Sequence, residues 1–220
     1  MRVGDGALYP RSRLGHPLVM RILSRSAARS AFFVGALAVV GCGGGGPQPD
    51  AGSDAPCARP AAPYGIRVGD RMEGFVLPRC DGTMMDLYDG QLCAHRLTVV
   101  TISAGWCGSC ATQSVQLTRE IVEPYRDRGV RVVEVIYEDD EYGPPDAAFC
   151  RQWSSMGGVE GVEVVYNPTG VVPPFGVGAD ARSLPITVIA DQSGTIRAVL
   201  SGTSEGLSEL KQAIDAALAR

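Results

Sequence analysis

The sequence predicts an α/β fold, a sheet covered by helices with its parallel strands first and an antiparallel pair last. Three observations predict it. Two apolar, β-rich runs, LTVVTIS at 97–103 and VRVVEVIY at 130–137, read as strands buried on both faces. A segment with helical marks separates them, as a parallel crossover requires. Near the C-terminus, 186–190 and 195–201 flank Asp191-Gln192-Ser193-Gly194, a hairpin signal.

The elements follow in order. GFVLPRCDGTMMDLYD reads as two short strands around a Cys80-Asp81-Gly82 turn. After the first long strand, 107–128 carries Val115, Ile121, Val122 and Tyr125 at helical spacing, and Gly129 is a suitable stop. Pro124 is expected to kink or shorten that helix. EDDEYGPP is a polar loop whose prolines suit the start of a helix near 146–156. A short strand is expected at 162–165. Ser204 can cap a last helix with Leu207, Leu210, Ile214 and Leu218 on one stripe. No internal repeat is visible.

Composition narrows the class. Residues 1–41 carry six Arg and one Asp, whereas 42–220 carry 14 basic and 23 acidic residues. The acidic main part argues against a nucleic-acid partner, which requires a basic face. Seven cysteines point to an oxidising compartment.

The N-terminal segment has the form of a leader. Arg21, Arg25 and Arg29 precede the apolar run 31–40, which is about the length of a signal-peptide core and short for a spanning helix. Met20 is an alternative start. The run ends in Val39-Val40-Gly41-Cys42, which resembles a bacterial lipobox. That resemblance implies cleavage before Cys42 and lipidation of its thiol, hence a membrane partner through a lipid anchor. Residues 42–63, rich in Gly, Pro and Ala, cannot bury a core and read as a flexible tether with a reach on the order of 25 Å. The domain is expected over 64–220. Gly43 stands where Asp would retain a lipoprotein in the inner membrane of some bacteria, so the choice of membrane stays open.

Trp106-Cys107-Gly108-Ser109-Cys110 sits where a buried strand becomes a helix, and Ser183-Leu184-Pro185-Ile186-Thr187 opens a later strand. GDRMEGFVLPRCDGTMMDL and PITVIADQSGTIRAVLSG lie on either side. Together these segments resemble the extracytoplasmic thioredoxin-like redoxins of the TlpA-like and peroxiredoxin-like superfamily, over about residues 66–220. The resemblance implies a thioredoxin-like three-layer fold: a central mixed sheet, helices on both faces and an N-terminal β-hairpin. It implies a thiol–disulfide oxidoreductase with Cys107 and Cys110 as a redox disulfide and catalytic pair. Trp106 and a cis Leu184–Pro185 would support the site and hold substrate. Its partners would be cysteine-containing envelope proteins or peptides and an unidentified redox partner; no cofactor and no metal are expected.

Physical chemistry agrees with this role. A cysteine at a helix N-terminus meets unpaired N–H groups and the positive end of the dipole, which favour the attacking thiolate. A second cysteine one turn on can resolve a mixed disulfide. The chain departs from the pattern at two positions: Thr101 stands where thioredoxins bury an Asp, and Gln113 where some TlpA-like reductants have Glu. Cys110 therefore lacks an obvious carboxylate for proton handling.

Other classes compete. Zinc would need four ligands, and the two histidines are His16 in the leader and a lone His95, read as a loop residue. Glu138 to Glu141 reads as a solvated turn, not a calcium loop. Ala104 stands where peroxiredoxins place Thr or Ser, so a peroxiredoxin-like peroxidase is an alternative without a specific signal. A redox-inactive surface lipoprotein of the same fold, with Cys107–Cys110 as an inert clip, is the other. Cys57, Cys80, Cys93 and Cys150 remain, and four cysteines allow three pairings. Cys80 and Cys93 bracket the hairpin's second strand and could meet across its base, which leaves Cys57 with Cys150.

Overall fold

The computed structural model describes residues 59–169 and 183–220. The leader, the lipobox Cys42 and Cys57 lie outside the described residues. A short antiparallel hairpin, β1 (Val76–Pro78) and β2 (Met84–Asp86), comes first. The turn between them is held by Asp81, whose carboxylate accepts from the Thr83 N–H at 2.9 Å and its hydroxyl at 2.7 Å. The helical turn Tyr88–Leu92 follows.

Five strands form the central sheet in the order β5-β4-β3-β6-β7. β3 (Leu97–Ala104), β4 (Val130–Glu138) and β5 (Glu163–Tyr166) are parallel. β6 (Ile186–Asp191) and β7 (Ile196–Ser201) add an antiparallel pair on the other side of β3. Every residue of β3 is buried, as the continuous apolar run implies.

Alternation along the strands divides the core. Leu97 and Val99 of β3 and Val130 and Val132 of β4 join Leu117, Ile121, Leu210 and Ile214 from the helices. Val100, Ile102, Val133 and Val135 point the other way, against Phe75, Leu77, Met85 and Tyr88 of the hairpin and helical turn. The Tyr88 hydroxyl donates to Met72 O at 2.5 Å within that core.

The predicted helix after β3 is a continuous helical path of changing pitch. It runs as α1 (Gly108–Leu117), a wide turn Thr118–Val122, α2 (Glu123–Tyr125) and a tight turn Arg126–Arg128. Pro124 falls in the first turn of α2, where its missing N–H costs least. Gly129 ends the path at φ 80°. α3 (Ala147–Ser154) is capped by Asp146, whose carboxylate accepts from Phe149 N at 2.8 Å. α4 (Ser208–Leu218) closes the chain after a tight turn Glu205–Leu207.

The chain joins the domain earlier than its composition suggests. Arg59 pairs with Asp86 at 2.6 Å, and the Tyr64 hydroxyl donates to Pro60 O at 2.8 Å.

The disulfide pairings require correction. Cys80 is bonded to Cys150, so neither the expected Cys80–Cys93 nor Cys57–Cys150 pair forms. The reason lies in where the hairpin turn rests. Arg79 bridges to Val165 and pairs with Glu163 at 2.6 Å, and Arg151 of α3 donates to Cys80 O at 3.1 Å. Cys80 thus faces α3, whereas Cys93 packs on the hairpin-side core and is itself disulfide-bonded.

Candidate active site

The site forms where β3 ends. Gly105 makes the turn out of the strand, and its N–H donates to Glu138 O at 2.8 Å. A side chain would not fit there: a Cβ would stand 2.5 Å from both Asp140 N and the Phe149 ring. Trp106 follows, 40% exposed. Its ring stacks on Tyr142 with centroids 5.2 Å apart, and its indole N–H donates to Glu138 Oε2 at 2.7 Å. The tryptophan is therefore held in place beside the cysteines.

Cys107 occupies the N-cap of α1 and is bonded to Cys110. The Cys110 N–H donates to Cys107 Sγ at 3.2 Å, so one of the helix's free N–H groups is aimed at this sulfur. Cys107 is 6% exposed and Cys110 fully buried, so Cys107 is the more accessible residue of the pair.

The Leu184–Pro185 peptide is cis and lies against this turn. Ser109 joins the two segments: its hydroxyl donates to Leu184 O at 3.1 Å and lies 3.3 Å from Cys107 Sγ. Trp106, Cys107, Cys110, Leu184 and Pro185, widely separated in sequence, are thus brought to one place.

A polar layer lies beneath the disulfide. Gln113 donates to Thr101 Oγ1 at 2.7 Å and to Thr187 Oγ1 at 3.3 Å. The positions that lack acids in this chain are thus filled by a neutral, internally bonded group. Beside it on β4 is Glu134, fully buried and paired in register with Thr101. Its Oε1 accepts from Ser103 Oγ at 2.7 Å and is in short contact with Ser114 Oγ. Burial raises its pKa, against the opposing effect of hydrogen bonds from Ser114 and Ser103. Glu134 is the site-adjacent residue that reading the sequence missed. The available signal was an acid in the middle of VRVVEVIY, a run whose other residues are almost all apolar.

Other candidates stay apart. His95 sits in the loop before β3, where burial lowers its pKa and Arg131 adds to the effect. Asp139 turns the acidic loop inward, accepting from Glu141 N at 2.9 Å and Gly143 N at 2.8 Å. Among the described residues no three His, Cys, Asp or Glu side chains gather to hold a metal ion. No helix among them is long and apolar enough to cross a membrane.

The fold that carries this strand, dithiol and cis-proline is shared with solved structures. The chain superposes on a candidate thiol:disulfide interchange protein DsbE from Chlorobium tepidum, with a TM-score of 0.57 and 21% identity over 70% of this chain and 99% of that one. The fold is thioredoxin-like. A thioredoxin-like protein from Aeropyrum pernix matches with a TM-score of 0.50 and 23% identity, covering 65% of this chain and 89% of its own. A candidate protein disulfide isomerase from Bacteroides thetaiotaomicron matches at 0.51 and 18%, covering 71% and 93%. No protein-family model and no curated protein matches the chain. In this thioredoxin-like frame, the Cys107–Cys110 pair stands at the C-terminal end of a central strand, at the crevice where open α/β sheets bind their ligands.

Proposed function

We propose that the chain is a lipid-anchored, extracytoplasmic thiol–disulfide oxidoreductase acting on cysteines of envelope proteins or peptides. One observation carries the reading. Of two bonded cysteines, the one at the helix mouth is the more exposed and its sulfur receives a backbone N–H, while its partner is fully buried. An inert structural clip has no need of that asymmetry.

In the reaction, the Cys107 thiolate attacks one sulfur of a substrate disulfide, and the electron pair leaves on the other sulfur. Cys110 then loses its proton and attacks Cys107 Sγ, which closes the Cys107–Cys110 bond and releases the substrate as a thiol. The reverse sequence oxidises a substrate dithiol. Trp106 shields one side of the pair, and the backbone before Pro185 offers an edge for an extended substrate segment.

Replacing Cys110 with Ser is expected to trap a mixed disulfide through Cys107, and Cys107→Ser to trap none. Equal, sluggish alkylation of both thiols after reduction would instead favour the inert clip. Redox titration then fixes the direction: a value near about −270 mV marks a reductant, and one near about −120 mV an oxidant. The anchor has its own test. Cys42→Ala is expected to release the protein from the membrane fraction, and continued sedimentation with membranes would overturn the lipobox reading.

A further inference from the structure

Proton counting around Ser114 points to a role for Glu134. The Ser114 hydroxyl lies 2.9 Å from Cys110 O and in short contact with Glu134 Oε1. It carries one hydrogen for two acceptors. Ser103 supplies its own hydrogen to Oε1. A neutral Glu134 would satisfy both contacts, donating to Ser114 Oγ while Ser114 donates to Cys110 O.

Its surroundings fit that state. β3 places Thr101 and Ser103 beside it, α1 places Ser114, β5 pairs it with Val164, and α3 brings Trp153. No charged side chain faces it. The titratable groups nearby are Cys107, Cys110 and Cys150, all in disulfides and clustered with Trp153. Glu134 Oε2 and Trp153 Nε1 are both buried and complete no hydrogen bond of normal geometry. Ser114 lies four residues after Cys110, one helical turn away, and links the Cys110 backbone to the Glu134 carboxyl.

We infer that Glu134 is the proton acceptor for Cys110, holding in the disulfide state the proton that the resolving thiol gives up. This rests on the thiol–disulfide reading above. In the resolving step the Cys110 S–H bond breaks and its proton passes to the Glu134 carboxylate. The freed electron pair forms the Cys107–Cys110 bond, and the substrate sulfur leaves with the pair from the mixed disulfide. Glu134 acts from beneath the pair, positioned by Ser114, without touching the incoming substrate.

The test uses the reduced full-length protein and 5,5′-dithiobis(2-nitrobenzoate). Cys107 attack releases one nitrothiobenzoate in a phase that depends on reagent concentration. Cys110 attack releases a second in a phase that does not, and Cys110→Ser identifies that phase by removing it. Glu134→Gln is expected to leave the first phase intact and slow the second about 100-fold at neutral pH. In the parent, the second phase should level off once Glu134 ionises; in the variant it should keep rising about tenfold per pH unit toward the thiol's own pKa. Glu134→Asp should restore the levelling. If Glu134→Gln does not fold, Ser114→Ala carries the test through a displaced midpoint of the same profile. An unchanged second-phase profile in the folded variant overturns the inference. Absence of the first phase in the parent protein overturns the oxidoreductase reading instead.

Discussion

The Ser109 hydroxyl donates to Leu184 O across 3.1 Å while standing 3.3 Å from Cys107 Sγ. A disulfide sulfur carries no hydrogen and no charge, so the serine's one proton serves the carbonyl. Reduction places a charged acceptor within reach of the same hydroxyl. Hydrogen bonds to charged groups contribute about 1.5–3 kcal/mol. Ser109→Ala is therefore expected to raise the midpoint of Cys107 alkylation by about one pH unit, read by mass spectrometry at graded pH. An unmoved midpoint would confine the hydroxyl's role to Leu184.

Gly105 is expected to tolerate no side chain. A Cβ there meets the Asp140 backbone and the Phe149 ring, each at 2.5 Å, and the backbone cannot yield as a flexible side chain would. Gly105→Ala should cost about 1–3 kcal/mol in denaturant unfolding. It should also loosen the Trp106–Tyr142 stack, visible as a change in tryptophan fluorescence. A variant as stable as the parent would show that the loop after β4 moves freely.

The Cys80–Cys150 bond closes 70 residues of sequence between the hairpin turn and α3. Replacing both cysteines with Ala is expected to destabilise the domain by roughly 2–5 kcal/mol. The corresponding fall in Tm is about 10 °C. Alkylation of Cys107 after mild reduction should persist, because the N-cap geometry does not depend on this bond. Calorimetry of parent and double variant, with the dithiol reduced in both, measures it.

Asp191 should govern part of the acid response. Its carboxylate accepts from Ser193 N at 2.9 Å, Thr195 N at 3.0 Å and Arg197 Nε at 2.8 Å. Burial works to raise its pKa, but the bonds from Ser193, Arg197 and Thr195 outweigh it and the net shift is downward. A folded-state value below the unfolded one gives stability that is complete above about pH 4 and is lost as pH falls through the folded value. Asp191→Asn is expected to lower stability at neutral pH and flatten the decline on the acid side, followed by urea unfolding from pH 7 to pH 3.

The strands were legible because burial on both faces leaves a long apolar run, and only length separates it from a helix. The last hairpin was legible through Asp191 and Gly194, whose turn chemistry is local. The third parallel strand runs Glu163–Tyr166, one residue later than its apolar start suggests, and Glu163 pairs with Arg79 from the hairpin. The dithiol could be named in advance because it carries a local pattern, and the cis-proline because the resemblance to thioredoxin-like redoxins implies it. Glu134 could not: its meaning depends on Ser114 of α1 lying over β4, a contact between residues 20 apart on different elements. The Cys80 pairing failed for a related reason. Proximity along the hairpin favoured Cys93, but the turn's direction against β5 and α3 decided the partner.

The Cys80–Cys150 bond makes this protein a client of disulfide chemistry during its own folding. The link cannot close until a nascent chain has delivered Cys150, far beyond the hairpin that carries Cys80. Until an outside oxidant acts, the hairpin turn is held by its core packing, the Arg79–Val165 bridge and the polar contacts of Arg79, Glu163 and Arg151. Completion of the fold is thereby coupled to the oxidising capacity of the compartment in which the chain folds.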